Sequence, residues 1–314
     1  MNNITRKRIE IAAKLIIGLG IIIFLVVYVD PKKIAETFAK ADYILLSLAV
    51  ILLPFNLFFQ FTKWKILLKR YFNIEDDRSI WLSIFYGISG GIFTPMKSGE
   101  YLARALSLKE VKVIDIVIAT AVDKFIPIFF VVTIGGSFFI IFLKELLSFS
   151  TTVTILLIVV YLVVVIVPLM LLLFDSDISN KLRAKLKSIK FLTKLIEKIS
   201  FIRSIDKKTL IQLIGVSLVY HLTFTTQMAF LLSAFSGDFE FMKFFFVANL
   251  IIFTQIVIPP IALGELGVRE GAAVYYLQSM GYSSAVGFNA AFSLFTINLL
   301  IPSIVGLLLL FRRN

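Results

Sequence analysis

Six stretches of the chain hold the run of roughly 20 apolar residues that a helix needs to cross about 30 Å of hydrocarbon. They are 11–29, 43–61, 125–143, 153–174, 210–235 and 286–310. Two further apolar stretches break the pattern. One, 80–93, is too short to cross; the other, 244–263, is interrupted by Pro259 and Pro260. Both run into glycine, proline and charge, the pattern of re-entrant segments that enter a bilayer and turn back. The first run is followed by Tyr28, Val29, Asp30 and Pro31 rather than by small residues, so it reads as a span and not as a cleaved leader.

Charge orients this pattern. Basic residues crowd the N-terminus (Arg6, Lys7, Arg8), the stretch after the second span (Lys63, Lys65, Lys69, Arg70, Arg78), the stretch 175–208 and the C-terminus (Arg312, Arg313). The alternate loops are poor in them. Six spans with both termini cytoplasmic satisfy the positive-inside rule, provided that neither short stretch crosses. The basic stretch 175–208 has the spacing of an amphipathic helix on the inner leaflet, either anchoring the topology or drawing in an anionic headgroup.

Composition narrows the class. The chain of 314 residues is 59% hydrophobic and 17% charged, with a mean hydropathy of +0.95. That excludes an ordinary water-soluble protein, which is about 45–50% apolar. No polar stretch is long enough for a separate soluble domain, so 1–314 is expected to form one membrane domain. The absence of cysteine excludes disulfides and thiolate chemistry, and a single histidine, His221, excludes sites built on two imidazoles. There is no phosphate-binding glycine loop of the G-x-x-x-x-G-K-[ST] kind. No metal or other cofactor is expected. The net charge of +12 is read as membrane anchoring rather than as a nucleic-acid surface.

A decapeptide recurs. Pro95, Gly99, Glu100 and Arg104 are matched, 165 residues on, by Pro260, Gly264, Glu265 and Arg269, both in the pattern P-x-x-x-G-E-x-x-x-R. The same offset lays 43–61 near 210–235 and 125–143 over 286–310. A first repeat over 43–143 and a second over 210–311 follow. Because the spans before the two motifs run in opposite directions, the repeats are inverted, an architecture of transporters with the substrate site at the repeat interface. The predicted fold is an all-α polytopic membrane protein of about six spans and two re-entrant hairpins.

The motif has its own chemistry. Pro95 and Pro260 end the incoming segments; Gly99 and Gly264 permit the turn. Helices beginning at Ser98 or Gly99, and at Gly264, would put Glu100 and Glu265 in first turns and Arg104 and Arg269 one turn on. A helix start and an arginine fork both suit phosphate oxygens. Glutamate then arginine at i,i+4 is equally the arrangement of an ordinary ion pair, so the motif either binds an anion or neutralises itself. Lys97 is an added candidate for the anion. Asp123 and Lys124, placed at the start of the third span, form a gating pair or an interfacial one. His221, with Asn56, Gln60, Gln227 and Gln255, puts polar groups within apolar segments, for transport or for bonds between helices.

The segments around Gly90 to Arg104 and Pro260 to Gly271 resemble the flippase-like membrane domain of the lysylphosphatidylglycerol synthase/flippase family. The second, with G-x-x-E as Gly267 and Glu270, is the more specific. In that family a separate soluble domain makes an aminoacylated lipid and the membrane domain moves it. The resemblance implies translocation of a phospholipid or a polyprenyl phosphate, with Glu270 joining the substrate-binding candidates. Since the sequence holds no synthase domain, a transporter and not an enzyme is expected, with anionic lipid and the bilayer as partners, no nucleic acid, and a possible homo-oligomer in the cell membrane. The rivals are an intramembrane enzyme acting on lipid phosphates and a non-catalytic partner of an envelope-lipid synthase.

Overall fold

The computed structural model describes residues 20–92, 94, 97–173, 206–258 and 266–312, and every regular element among them is helical. In chain order these are α1 (Gly20–Val29), α2 (Pro31–Ala39), α3 (Tyr43–Phe72), α4 (Asp77–Ile92), α5 (Ser98–Ala103), α6 (Val113–Phe130), α7 (Gly136–Leu147), α8 (Thr151–Leu173), α9 (Lys207–Ser236), α10 (Phe241–Val257), α11 (Val268–Ser279), α12 (Ser284–Phe295) and α13 (Ile301–Phe311). A short 3₁₀ turn, Arg104–Ser107, follows α5. π-helical turns join α6 to α7 (Val131–Gly135) and α12 to α13 (Thr296–Leu300). Four continuous rods are therefore long and apolar enough to cross a membrane: Tyr43–Phe72, Val113–Leu147, Lys207–Ser236 and Ser284–Phe311.

Local chemistry sets the ends. Asp42 caps α3 by accepting from the backbone N–H of Ile44 and Leu45, and Asn73 closes it in the left-handed conformation. Asp206 caps α9 through Thr209, and Gly237 closes it. Both helices are 30 residues long. The 16 residues of α4 rise only about 24 Å, short of the roughly 30 Å of a bilayer.

Two boundaries differ from the sequence-based expectation. The second span does not stop near residue 61. Trp64, Leu67 and Leu68, all fully buried, extend its apolar face to Phe72, so Lys63 is a helix residue and not a loop residue. The third span begins at Val113 rather than at 125. Its polar residues Thr120 and Asp123 are buried against neighbours rather than facing a boundary. Of the predicted first span only 20–29 is described, and the basic stretch 175–208 lies outside the described residues except for 206–208, which open α9.

Helices α3 and α9 run packed together through the middle. One apolar core gathers buried residues of α3, α9, α10, α11 and α12, and a second those of α3, α4 and α6. Contacts also run between early and late parts of the chain. α13 lies against α4, where a Cβ on Gly306 would strike the Phe85 carbonyl and Ser89, and Ser89 Oγ donates to the Ser303 carbonyl at 2.7 Å. The α6–α7 turn lies against α10, with Gly135 facing Phe253 and the Asn249 carbonyl. Tyr161 of α8 donates to the Val132 carbonyl within that turn at 2.6 Å, a partner for backbone loosened by the π geometry.

Candidate functional site

Charged groups have been drawn into the centre. Arg104 is 1% exposed, and its two terminal nitrogens divide between carboxylates: Nη2 to Glu100 at 2.8 Å and Nη1 to Asp123 at 3.0 Å. Asp123 also faces Lys63 Nζ at 3.1 Å, and Glu100 faces Lys124 Nζ at 2.7 Å. The five residues form a chain, Lys63–Asp123–Arg104–Glu100–Lys124, from α3, α5, α6 and the 3₁₀ turn. Burying charge in this way is tolerated only when it is paired and hydrogen-bonded.

The surroundings are built for that chain. The Arg104 guanidinium stacks on Trp64, 4.7 Å from the ring centre. Trp64 Nε1 donates to Ser83 Oγ, which donates to the Arg104 carbonyl. At Gly87 a Cβ would come within 2.6 Å of Arg104 Cγ, so the lack of a side chain there makes room for the arginine. Trp64 is fully buried as part of this floor.

The second arginine is held differently. Gly267, at φ 100°, turns the chain into α11 in a conformation that L side chains rarely adopt. Glu270 reaches back to the Gly267 N–H at 2.7 Å and, with its other oxygen, to Arg269 Nη2 at 3.2 Å. The helix of the second motif, α11, thus starts at Val268 rather than at Gly264, where the motif match sets it, and the first-turn carboxylate in it is Glu270. Gly264, Glu265, Pro260 and Pro95 lie outside the described residues. Arg269 is 1% exposed, and its Nε has no hydrogen-bond partner among the described residues.

A cavity lies between these groups, walled by both halves of the chain. Its larger chamber, about 150 Å³, is lined by Lys63, Lys97, Asp123, Lys124, His221 and Gln255 among others. The adjoining chamber, about 80 Å³, is lined by Glu100, Arg269 and Asn298; Gln60, Lys97, Lys124, Tyr220 and Phe224 belong to both walls. Lys97 stands at the head of α5 in the left-handed conformation, φ 53°, a strained setting for a side chain of its kind and one found where function holds it. Arg104 does not line the cavity; it lies behind its two carboxylates.

The remaining candidates are placed as follows. Gly99 packs in α5 against the Gly90 carbonyl and Thr94. Asp123 and Lys124, expected to pair at a span boundary, lie ten residues inside the helix and bond to different partners. His221 Nε2 meets Asn249 Oδ1 at 3.1 Å at the cavity wall. Asn56, Gln227 and Asn298 bond to one another across α3, α9 and the α12–α13 turn. Sequence reasoning missed Lys63 and Asn298 as members of this centre. The signal for Lys63 was present: apolar residues three to five positions beyond it show that its helix continues.

Four rods long and apolar enough to cross a membrane, around a cavity lined by charged residues, mark a membrane protein with a polar centre. The chain belongs to the family described as the lysylphosphatidylglycerol synthase TM region, whose model matches residues 11–306. Membership ties it to the biology of membrane lipids. No curated protein matches it.

Proposed function

We propose that the chain moves a phosphate-bearing lipid, of phospholipid or polyprenyl-phosphate type, from one leaflet to the other. One observation carries this reading: Arg269, buried at the cavity wall, keeps a guanidinium Nε–H that has no partner among the described residues. An unpaired donor on a buried cation costs far more than a satisfied one, and a phosphate oxygen in the cavity relieves that cost. Lys124, a third exposed, is the mobile counterpart. It can exchange Glu100 for the incoming headgroup while Arg104, held by two carboxylates, keeps Glu100 in place. Acyl chains stay in the bilayer, so only the headgroup crosses the polar centre. A bare charge at the bilayer midplane costs at least about 2.5–3.5 kcal/mol; ion pairing in the cavity lowers that barrier.

The transport cycle proposed here has two inverted halves, 43–143 and 210–311, that open the cavity in turn to each side, with 80–93 and 244–263 as re-entrant segments and both termini cytoplasmic. The recurring devices support it. The 30-residue helices begin 164 residues apart, at 43 and 207, each behind an aspartate cap. The π turns begin 165 apart, at 131 and 296. No bond of the lipid is made or broken in this cycle.

The test is reconstitution of the purified chain in vesicles holding a fluorescent phosphatidylglycerol, with bleaching of the outer leaflet by dithionite. The chain should speed exchange over empty vesicles and leave the lipid's mass unchanged. Arg269→Gln should slow exchange roughly tenfold or more, the worth of a charge-assisted hydrogen bond of about 1.5–3 kcal/mol. Full exchange in folded Arg269→Gln would remove the assignment, and a change in lipid mass would favour an enzyme.

A further inference from the structure

A second feature lies on the outer face of α3, α4 and α13, away from the cavity. An apolar groove of about 830 Å³ runs along Leu53, Phe55, Phe58, Phe59 and, at its head, Trp81 and Phe85. It continues past the same Trp81 and Phe85 into a cleft of about 700 Å³ lined by Asp76, Arg78, Ser79, Ser107 and Arg312 among others. Volumes of this size hold whole organic ligands. Trp81 forms the joint between the two: its ring stacks on Phe61 at 4.5 Å and on Phe85 at 6.0 Å.

Charge at this end of the molecule is unevenly spent. Lys65 pairs with Asp77, Lys69 with Glu75 and Arg70 with Asp206. Asp76, the one carboxylate among the described residues of the cleft, caps the start of α4, accepting from the backbone N–H of Arg78 and Ser79 and from the Ser79 hydroxyl. Arg78 and Arg312 are left with no carboxylate at ion-pair distance among the described residues, both exposed and both in the cleft.

We infer that this surface is a binding site for one anionic phospholipid of the adjacent leaflet, its phosphate between Arg78 and Arg312 and an acyl chain along the phenylalanine groove. The occupant follows from the join of the two parts. A soluble anion has no use for the groove, and a neutral lipid none for two unpaired arginines. Arginine forks match phosphate oxygens, and a tryptophan between a wet and an apolar region suits the headgroup boundary. The site stands independently of transport through the cavity.

The chain has only two tryptophans, and Trp64 is fully buried, so Trp81 reports on the groove. The full chain is reconstituted in mixed vesicles of phosphatidylglycerol and phosphatidylcholine, with bromine on the chains of one or the other. Brominated phosphatidylglycerol should quench the fluorescence preferentially, with a relative affinity over brominated phosphatidylcholine of about fivefold for each arginine engaged. Arg78→Gln with Arg312→Gln should bring the ratio to one, and Trp81→Phe should abolish the selective component. Arg269→Gln should leave it intact, which separates this site from the cavity. Equal quenching by the two lipids, or a preference that survives loss of both arginines, would overturn the inference.

Discussion

Asp123 is the residue on which the buried charges depend, since it answers both Lys63 and Arg104. Asp123→Asn leaves two buried cations short of a counter-charge, and breaking such a pair costs about 3–5 kcal/mol. Thermal unfolding in detergent should show that loss, and Lys63→Met combined with Asp123→Asn should recover part of it. The two arginines should separate under the same conservative change. Arg104→Lys replaces a fork that spans two carboxylates with a single ammonium, so it should lower the unfolding temperature. Arg269→Lys should spare stability and slow lipid exchange. An equal stability loss at both sites would mean that both arginines are structural. The pairing of Glu100 with Arg104 was legible from their spacing of four on one helix face. The part of Asp123 was not, because its partners come from α3 and from the 3₁₀ turn, contacts that periodicity along one helix does not encode.

Among the elements, the paired long helices depend on their caps and on close approach. Asp206 is held down to about 2 by the Thr209 N–H and hydroxyl, with Arg70 adding to the effect. An unfolded aspartate titrates near ~3.9, so this cap contributes fully above about pH 4 and its contribution disappears as pH falls through about 2. Unfolding followed against pH should lose that acid limb in Asp206→Ala. Glycines make a sharper comparison. Gly306→Ala forces a methyl into the α4 backbone and should destabilise by about 1–3 kcal/mol. Gly215→Ala in α9 meets nothing within 4 Å and should stabilise by roughly 0.5–1 kcal/mol; a loss there too would deny that packing sets the difference. The short α4 was legible from the length of its apolar run, and the end of α10 from Pro259 and Pro260, which interrupt its run. The start of α11 was not: the motif match pointed to Gly264, whereas the turn at Gly267, in its positive-φ conformation, and the reach of Glu270 set it four residues later, at Val268.

For the whole molecule, membrane residence was legible from composition alone, and the family from the two glycine- and charge-bearing segments. What composition could not supply was depth. Lys63 and Lys124 count as basic residues like any other, yet they face the buried centre, whereas Arg78 and Arg312 face outward. The inverted arrangement makes a direct prediction on this cysteine-free background. Ser98 and Ser279, both exposed, should become reactive from opposite sides of the membrane as Ser98→Cys and Ser279→Cys. Labelling of both by an impermeant maleimide from one side would end the inverted-repeat proposal.

The packing of α13 on α4 bears on how the chain is made. α4 is synthesised early, but the surface that covers its Phe85–Ser89 stretch is α13, some 200 residues later. Contacts of such separation close late and slowly. Until the last helix emerges, that face of α4 has no protein partner, so a chain stopped after residue 295 should be degraded although it retains the whole of the charged cluster.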